Sequence, residues 1–238
     1  MSKQVVLDII SKYGDEYEND IFYGMPYSQY GNLESLVLYC FIREYKPKKI
    51  FEMGTERFSR STYLIQKALL KNGEDFTHYM CDFPEVLQQA VSNLFDTTNV
   101  VTLPGNALDL KFDYSQIDFM FIDAHHTREF AEWYLDNVVE HLKPNTPIHV
   151  HDINLSGDWF DRDGRINEAY EFTVRHKENR SNVDKFFWLE DFSVNPEYKK
   201  DFNEIAKKHF IGRFPATALP YNASASYWLR KNINETTN

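Results

Sequence analysis

Two apolar stretches of this 238-residue chain end in side chains that can move a proton or bind a metal ion. The stretch IDFMFIDAHH runs through Asp123 to His126, and the stretch IHVHDI ends near His151 and Asp152. Carboxylates and imidazoles are the common general acids and bases of enzymes, and carboxylate oxygens are ligands that Mg²⁺ prefers. The two stretches therefore predict acid–base or metal-assisted chemistry, provided that the fold brings their ends together.

The elements between residues 47 and 155 predict how the ends of the two stretches come together. Helical runs separate strand-like runs, which are KKIFEMGT, THYMCD, NVVTLPGN, QIDFMFID and TPIHVHDI. Strands that alternate with helices predict the Rossmann-like α/β class, a doubly wound and mostly parallel sheet. Ligands of such sheets bind beyond the carboxyl ends of the strands. We therefore expect Asp123, His151 and Asp152 at one rim of the sheet.

The flanking segments predict additions to one domain. Residues 1–46 predict a helical cap, because VVLDIISKY and NLESLVLYCFIREY show apolar residues at helical spacing. Residues 156–238 predict a substrate-side elaboration, whose final strand SASYWLRK pairs antiparallel at the sheet edge. No Pro/Gly/Ser-rich linker divides the chain, so we expect a single domain over residues 1–238 with its core at 47–155.

Composition disfavours two kinds of partner. With 36 acidic and 26 basic residues the net charge is −10, whereas nucleic-acid binding needs a concentrated basic face. No apolar run is long enough for a membrane span or a signal peptide. Cys40 and Cys81 lie in apolar surroundings, which favours buried free thiols. We therefore expect a cytoplasmic enzyme or binding protein.

The turn after the first predicted strand, FEMGTERFSRST, predicts a ligand site. Gly54 allows a ligand to approach the backbone, and the helix that follows favours an anionic group at its N-terminus. Gly54 is the only glycine between Gly31 and Gly73, so the G-x-G-x-x-G pattern of NAD and FAD sites is missing. Glu52 instead favours a ligand with an amino group.

The order of these motifs resembles class I S-adenosylmethionine-dependent methyltransferases. E-x-G-T follows strand one, Asp82 ends strand two, G-N follows strand three and I-D-x-x-H ends strand four. The stretch FMFIDAHHTREFAEWYLDNVVEHLKPNTPIHVHDI is similar to methyltransferase family 24, which includes metal-assisted O-methyltransferases of sugars and other small hydroxylated molecules. The resemblance covers about residues 29–155. The bulky turn ERFSRS and the pair Asp123-Ala124 depart from the family pattern.

The resemblance implies a role for each matching residue. The core would bind S-adenosylmethionine through Glu52, Gly54, Thr55, Ser59, Ser61, Asp82, Asn106 and Asp123. Asp82 would accept hydrogen bonds from the ribose hydroxyls, and Asn106 would face the adenine. Asp123 would also act as metal ligand and base.

Transfer to an alcohol needs an activated oxygen, and a bound divalent cation lowers the pKa of a hydroxyl. The predicted Mg²⁺ ligands are Asp123, His151 and Asp152, and the predicted catalytic residues are Asp123, His126 and His151. Other roles stay open: Asp123 or Asp152 could cap the helix that follows, and we expect His125 and His149 to be mainly structural.

The leading prediction is thus an O-methyltransferase that modifies a hydroxyl of a small molecule with the assistance of Mg²⁺. Family analogy favours a sugar or nucleotide-linked sugar, such as a heptose of a capsule or surface polysaccharide, and a homodimer. One alternative is a metal-dependent hydrolase, because D-x-H begins the ligand set of metallophosphoesterases, although their G-N-H stretch is missing. The other is a non-catalytic protein of the same fold, which the bulky turn ERFSRS would favour.

Overall fold

The computed structural model of the chain describes residues 3–26, 32–55, 60–73, 75–94, 96–153, 168–188 and 226–232. Ser59, predicted to bind the cofactor, lies outside these residues, as does most of the substrate-side elaboration predicted over residues 156–238.

A seven-stranded sheet forms the centre of this part of the chain, in the order β3-β2-β1-β4-β5-β7-β6. The strands are β1 Lys49–Met53, β2 Thr77–Asp82, β3 Val100–Pro104, β4 Phe119–Ile122, β5 Pro147–Val150, β6 Val183–Trp188 and β7 Ser226–Arg230. β1 to β5 pair in parallel, and β7 runs antiparallel to both of its neighbours. The predicted fold class is therefore confirmed. The antiparallel strand lies one position inside the edge, because β6 pairs with its outer side.

Six helices of eight or more residues surround the described part of this sheet. They are α1 Lys3–Asp20, α2 Asn32–Tyr45, α3 Arg60–Asn72, α4 Pro84–Ser92, α5 Arg128–Asn137 and α6 Glu168–Lys177. Short 3₁₀ turns lie at Phe22–Gly24, Ala107–Asp109, Tyr114–Gln116 and Val139–His141. No helix among the described residues is both long and apolar enough to cross a membrane.

The sheet divides the apolar side chains into two layers, because successive residues of a strand point to opposite faces. Ile50 and Phe121 pack in one layer with α1, α2 and α3. Phe51 and Met120 pack in the other layer with α5 and α6. Both faces are therefore covered, and the carboxyl ends of the parallel strands meet at one rim.

Helix α2 is buried on all sides between Leu33 and Ile42, although its sequence predicts a single apolar face. Helix α1 packs against it as part of the same apolar layer. This arrangement also buries Glu34 and Ser35. A carboxylate in such a position requires a polar partner, since burial of an unpaired charge is costly.

Candidate active site

A cavity of about 550 Å³ lies over the carboxyl ends of β1, β2, β4 and β5. This volume is within the range of pockets that hold small-molecule ligands and cofactors. The predicted site residues that line it are Gly54, Asp82, Asn106, Asp123, His126, His151 and Asp152. The structure thus brings the ends of both apolar stretches together, as expected for a parallel sheet.

Gly54 follows β1 and joins the turn to the end of β4. Its φ is +85°, and a Cβ atom at this position would lie 1.8 Å from the carbonyl oxygen of Asp123. Its N–H donates to the carbonyl oxygen of Cys81 at 2.9 Å. Only glycine combines this φ with such a close approach of two backbones.

Asp82, at the end of β2, is held by backbone donors. Its Oδ2 accepts from the N–H of Thr55 at 2.9 Å and from the Thr55 hydroxyl at 3.3 Å. Its Oδ1 accepts from the N–H of Phe83 at 2.7 Å. Each carboxylate oxygen has two lone pairs, so Oδ1 can accept a further hydrogen bond from a ligand in the cavity.

Two exposed apolar side chains lie on the same side of the cavity as Asp82. Phe83 is 54% exposed and Leu108 is 46% exposed, and both contribute to the lining. Between them, Asn106 accepts at its side-chain oxygen from the N–H of Leu108 at 3.1 Å. This part of the cavity suits a flat, partly apolar group such as an aromatic base.

Glu52 and Ser61 lie outside the cavity lining, in a buried network. Glu52 is fully buried and accepts hydrogen bonds from the hydroxyls of Ser61 and Thr62 at 2.8 and 3.0 Å. Nε2 of His78 lies 2.9 Å from its other oxygen. The network ties the first turn of α3 to β1 and β2. Direct binding of the cofactor by Glu52 and Ser61 stays a prediction.

Asp123 follows β4 and lies between two imidazoles. Nδ1 of His151 is 3.0 Å from its Oδ1, and Nε2 of His126 is 3.6 Å from the same oxygen. Within the described part of the chain, Oδ2 of Asp123 has no hydrogen-bond partner. Thr127 caps α5 by accepting from the N–H of Phe130, so Asp123 is not the cap of that helix.

Two further carboxylates lie behind these imidazoles. Oε2 of Glu34 is 3.4 Å from Nε2 of His151, and Oε2 of Glu168 is 3.1 Å from Nδ1 of His126. The hydroxyl of Tyr134 donates to Oε1 of Glu168 at 3.1 Å. We refer to Glu34, His151, Asp123, His126, Glu168 and Tyr134 as the carboxylate–imidazole chain. It runs from α2 on one face of the sheet to α5 and α6 on the other.

The charges within the carboxylate–imidazole chain shift the pKa values of its members. Burial opposes protonation of His151, but Asp123 and Glu34 hold its pKa well above the usual range. Burial also opposes protonation of His126, and Glu168 and Asp123 nevertheless raise its pKa. Burial favours the neutral form of Asp123, yet the neighbouring His151 lowers its pKa. Asp123 is therefore an ionised acceptor, and its imidazole neighbours are donors.

The observed arrangement of the predicted Mg²⁺ ligands does not suit binding of the ion. Among the described residues, no three His, Cys, Asp or Glu side chains are arranged to hold a metal ion. A histidine ligand needs a free lone pair on one ring nitrogen, but both nitrogens of His151 face carboxylates, and Oδ1 of Asp152 lies 3.6 Å from Nε2. The chemistry of the donor set thus disfavours Mg²⁺, and its involvement stays a prediction.

The two remaining histidines of the apolar stretches lie in different environments. His149 is fully buried, with its ring centroid 4.8 Å from that of Phe121 and 4.5 Å from that of Tyr227. Burial lowers the pKa of His149 well below the usual range, so it is neutral in the core. His125, in contrast, is exposed and lines the cavity beside Phe130.

Sequence reasoning did not predict the outer members of the carboxylate–imidazole chain, which are Glu34, Glu168 and Tyr134. Glu34 is a single acid in the apolar run LESLVLYCF. One acid within such a run indicates a buried carboxylate that has a polar partner, so the sequence did contain a signal for Glu34. Glu168 and Tyr134 lie in amphipathic helices where acids and tyrosines are common, so the sequence gives no comparable signal for them.

Residues 54–153 match the family model of methyltransferase family 24, which is described as a methyltransferase domain. No curated protein matches the chain at a significant level. The match favours a methyltransferase over the metal-dependent hydrolase that the D-x-H motif left open.

Several solved structures share the fold. Cofactor-bound Rv0187 from MTB is 17% identical, over 76% of this chain and 80% of that one, with a TM-score of 0.52. The O-methyltransferase TomG from Streptomyces achromogenes, solved in complex with SAM, is 18% identical over 78% and 82%, with a TM-score of 0.50. An O-methyltransferase from Bacillus cereus in complex with SAH is 16% identical over 78% and 83%, with a TM-score of 0.50.

At these identities the structural similarity concerns the fold, and the family match concerns the part of the chain that contains the cavity. The residues present also fit the cofactor, because a carboxylate, an amide and two exposed apolar side chains surround one side of a cavity of suitable volume. The resemblance predicted from the sequence is thereby confirmed for the fold and for the segment that borders the cavity: residues 54–153 match a methyltransferase domain of family 24.

Proposed function

We propose that this enzyme transfers the methyl group of S-adenosylmethionine to a hydroxyl oxygen of a small molecule. The observation that carries the proposal is the position of Asp123, whose Oδ2 has no partner among the described residues although the carboxylate borders the cavity. A carboxylate oxygen in this position can orient an acceptor hydroxyl and take its proton.

Asp82 and Asn106 hold the cofactor in this proposal. Oδ1 of Asp82 accepts a hydrogen bond from a ribose hydroxyl, and Oδ2 stays fixed by Thr55. Phe83 and Leu108 would hold the adenine, because their exposed apolar surfaces line this side of the cavity and would otherwise stay in water. These positions leave the end of β4, with Asp123, for the reacting groups.

S-adenosylmethionine supplies a methyl group that is electrophilic because it is bound to a positively charged sulfur. As the acceptor oxygen gained its bond to the methyl carbon, the carbon–sulfur bond would break and S-adenosylhomocysteine would leave. The oxygen would become more acidic, and its proton would pass to Oδ2 of Asp123. His151 stabilises the ionised carboxylate beforehand by donating to Oδ1, and His126 does so by its charge, with Nε2 3.6 Å from the same oxygen. No step in this proposal requires a metal ion.

Cofactor binding is tested by calorimetric titration with S-adenosylhomocysteine. Asp82→Asn keeps the shape of the side chain but removes one acceptor oxygen, so we expect binding at least about tenfold weaker than that of the wild type. Glu85→Gln removes an equal charge from an exposed position in the first turn of α4 and serves as control. Wild-type protein that fails to bind, or equal affinities of all three proteins, would contradict the proposal.

The acceptor we propose is a sugar or nucleotide-linked sugar, and a heptose of a surface polysaccharide follows from family analogy alone. The acceptor side of the cavity supports a polyol, because carboxylates and imidazoles bind hydroxyl groups well: it carries Asp123, His125 and Asp152. Transfer of a radiolabelled methyl group to a panel of free and nucleotide-linked sugars identifies the acceptor, and a panel of catechols is the comparison. Transfer to catechols alone would refute the sugar.

The same assay decides the role of Mg²⁺. Because carboxylates face both ring nitrogens of His151, we expect dialysis against EDTA to leave the transfer rate unchanged, and added Mg²⁺ to have no effect. A loss of activity with EDTA that Mg²⁺ restores would instead support the metal-assisted mechanism predicted from the sequence.

A further inference from the structure

Glu34 and Glu168 contact the site without lining the cavity. They are only 2% and 1% exposed, and they come from helices on opposite faces of the sheet. Neither residue is among those that border the cavity. Glu34 contacts the imidazole of His151, and Glu168 contacts that of His126, so each acid can influence the reaction through an imidazole that lines the cavity.

The two imidazoles are arranged in the same way. Each has one ring nitrogen directed at an outer carboxylate and the other directed at Oδ1 of Asp123, at 3.0 Å for His151 and 3.6 Å for His126. An imidazole held at one nitrogen cannot rotate about its side-chain bond without losing that hydrogen bond. The outer carboxylates thus fix the direction of the second nitrogen.

The convergence of both imidazoles on Oδ1 has a consequence for Oδ2. His151 hydrogen-bonds Oδ1, and Nε2 of His126 lies 3.6 Å from the same oxygen, so both positive charges favour an orientation of the carboxylate in which Oδ2 points away from the two imidazoles. Tyr134 completes the arrangement, because it donates to Oε1 of Glu168 and so leaves Oε2 for His126.

We propose that Glu34 and Glu168 are positioning residues for methyl transfer, which hold His151 and His126 so that Asp123 presents Oδ2 to the acceptor hydroxyl. This inference rests on the proposed function and deepens it. In this arrangement, two acids that are 134 residues apart in the sequence act on one catalytic carboxylate from opposite layers of the fold.

The variants that test it are Glu34→Leu and Glu168→Leu, together with the conservative Glu34→Gln and Glu168→Gln. Leucine removes the acceptor, whereas glutamine keeps an acceptor oxygen of similar position without the charge. The first readout is the set of hydrogen-bonded imidazole N–H resonances in ¹H–¹⁵N NMR spectra of the folded protein. We expect Glu34→Leu to shift or remove those of His151, and Glu168→Leu those of His126.

The second readout is kinetic, with the sugar that gives the highest transfer in the panel. A misplaced catalytic group costs about 10²-fold in rate, so kcat should fall by about this factor in the leucine variants and by less in the glutamine variants. We expect the acceptor KM and the affinity for S-adenosylhomocysteine to change by less than about twofold, since neither glutamate borders the cavity.

Each helix offers a matched control. Glu44, on α2, binds Lys12 at the surface, and Glu171, on α6, is fully buried against Arg128 and Arg175. Glu171→Gln should lower the melting temperature without altering kcat or the imidazole resonances, which separates positioning from general stability.

The outcomes are distinguishable. Imidazole resonances that stay unchanged in both leucine variants, or a kcat that falls equally in Glu171→Gln and Glu168→Gln, would overturn the inference. Wild-type protein that does not bind S-adenosylhomocysteine would overturn the proposed function instead, and the resonances would still show whether the outer carboxylates hold the imidazoles.

Discussion

Gly54→Ala is expected to lower both the stability of the enzyme and its affinity for S-adenosylhomocysteine. A φ of +85° costs alanine about 1–2 kcal/mol. In addition, the new Cβ would lie 1.8 Å from the carbonyl oxygen of Asp123 and 2.5 Å from its carbonyl carbon. Backbone atoms cannot rotate away, so β1 and β4 must separate at their carboxyl ends. Thermal unfolding and calorimetry measure the two effects.

Gly73 provides the matched control for this substitution. It also has a positive φ, +132°, but no atom lies within 4 Å of a Cβ built there. Gly73→Ala should therefore show the cost of backbone strain alone, with unchanged binding of S-adenosylhomocysteine. If both alanine variants lose equal stability and both bind normally, the close approach of Gly54 to Asp123 has no functional importance.

Asp123→Asn is expected to reduce turnover by about 10²- to 10⁴-fold, the range that a positioned general base contributes. Asparagine keeps an oxygen that can accept from His151 but cannot take a proton at neutral pH. Since Asp82 and Asn106 hold the cofactor in the proposal, we expect the affinity for S-adenosylhomocysteine to stay within about threefold of the wild type. The measurements are kcat with the best sugar acceptor and calorimetry.

Asp118 is a suitable comparison because it lies at the opposite end of β4. Its Oδ2 accepts from the N–H groups of Lys48 and Lys49, and its Oδ1 lies 3.2 Å from Nζ of Lys143. Asp118→Asn should leave kcat unchanged. Full turnover in Asp123→Asn, with a normal Asp118→Asn, would remove Asp123 from the mechanism.

The sheet could be predicted because its central strands are short, continuous apolar runs bounded by turn residues. The run THYMCD coincides with β2, and the register between β4 and β5 pairs Ile122 with Val150. Asp123 and His151 therefore follow the last pair of a parallel ladder, and their convergence is a property of the topology. β6 was harder to predict, since its one partner among the described strands is β7, which is distant in the sequence.

The buried position of Glu52 follows from the two-residue period of a strand. It points to the same face as Ile50, toward α3, so it meets Ser61 and His78 instead of the cavity. The motif alone does not contain this information. The contact between Glu34 and His151 joins residues 117 positions apart, and no local spacing rule predicts such a pair.

The position of β7 imposes an order on folding. Because β7 pairs with β5 on one side and β6 on the other, the carboxyl-terminal part of the sheet forms only after residues 226–230 are available. Until then, β6 lacks its neighbour in the described sheet, and the edge of β5 that β7 later covers stays open to unintended pairing. Assembly of this region should thus be a late event during synthesis, after the parallel strands β1 to β5 have already formed their own contacts.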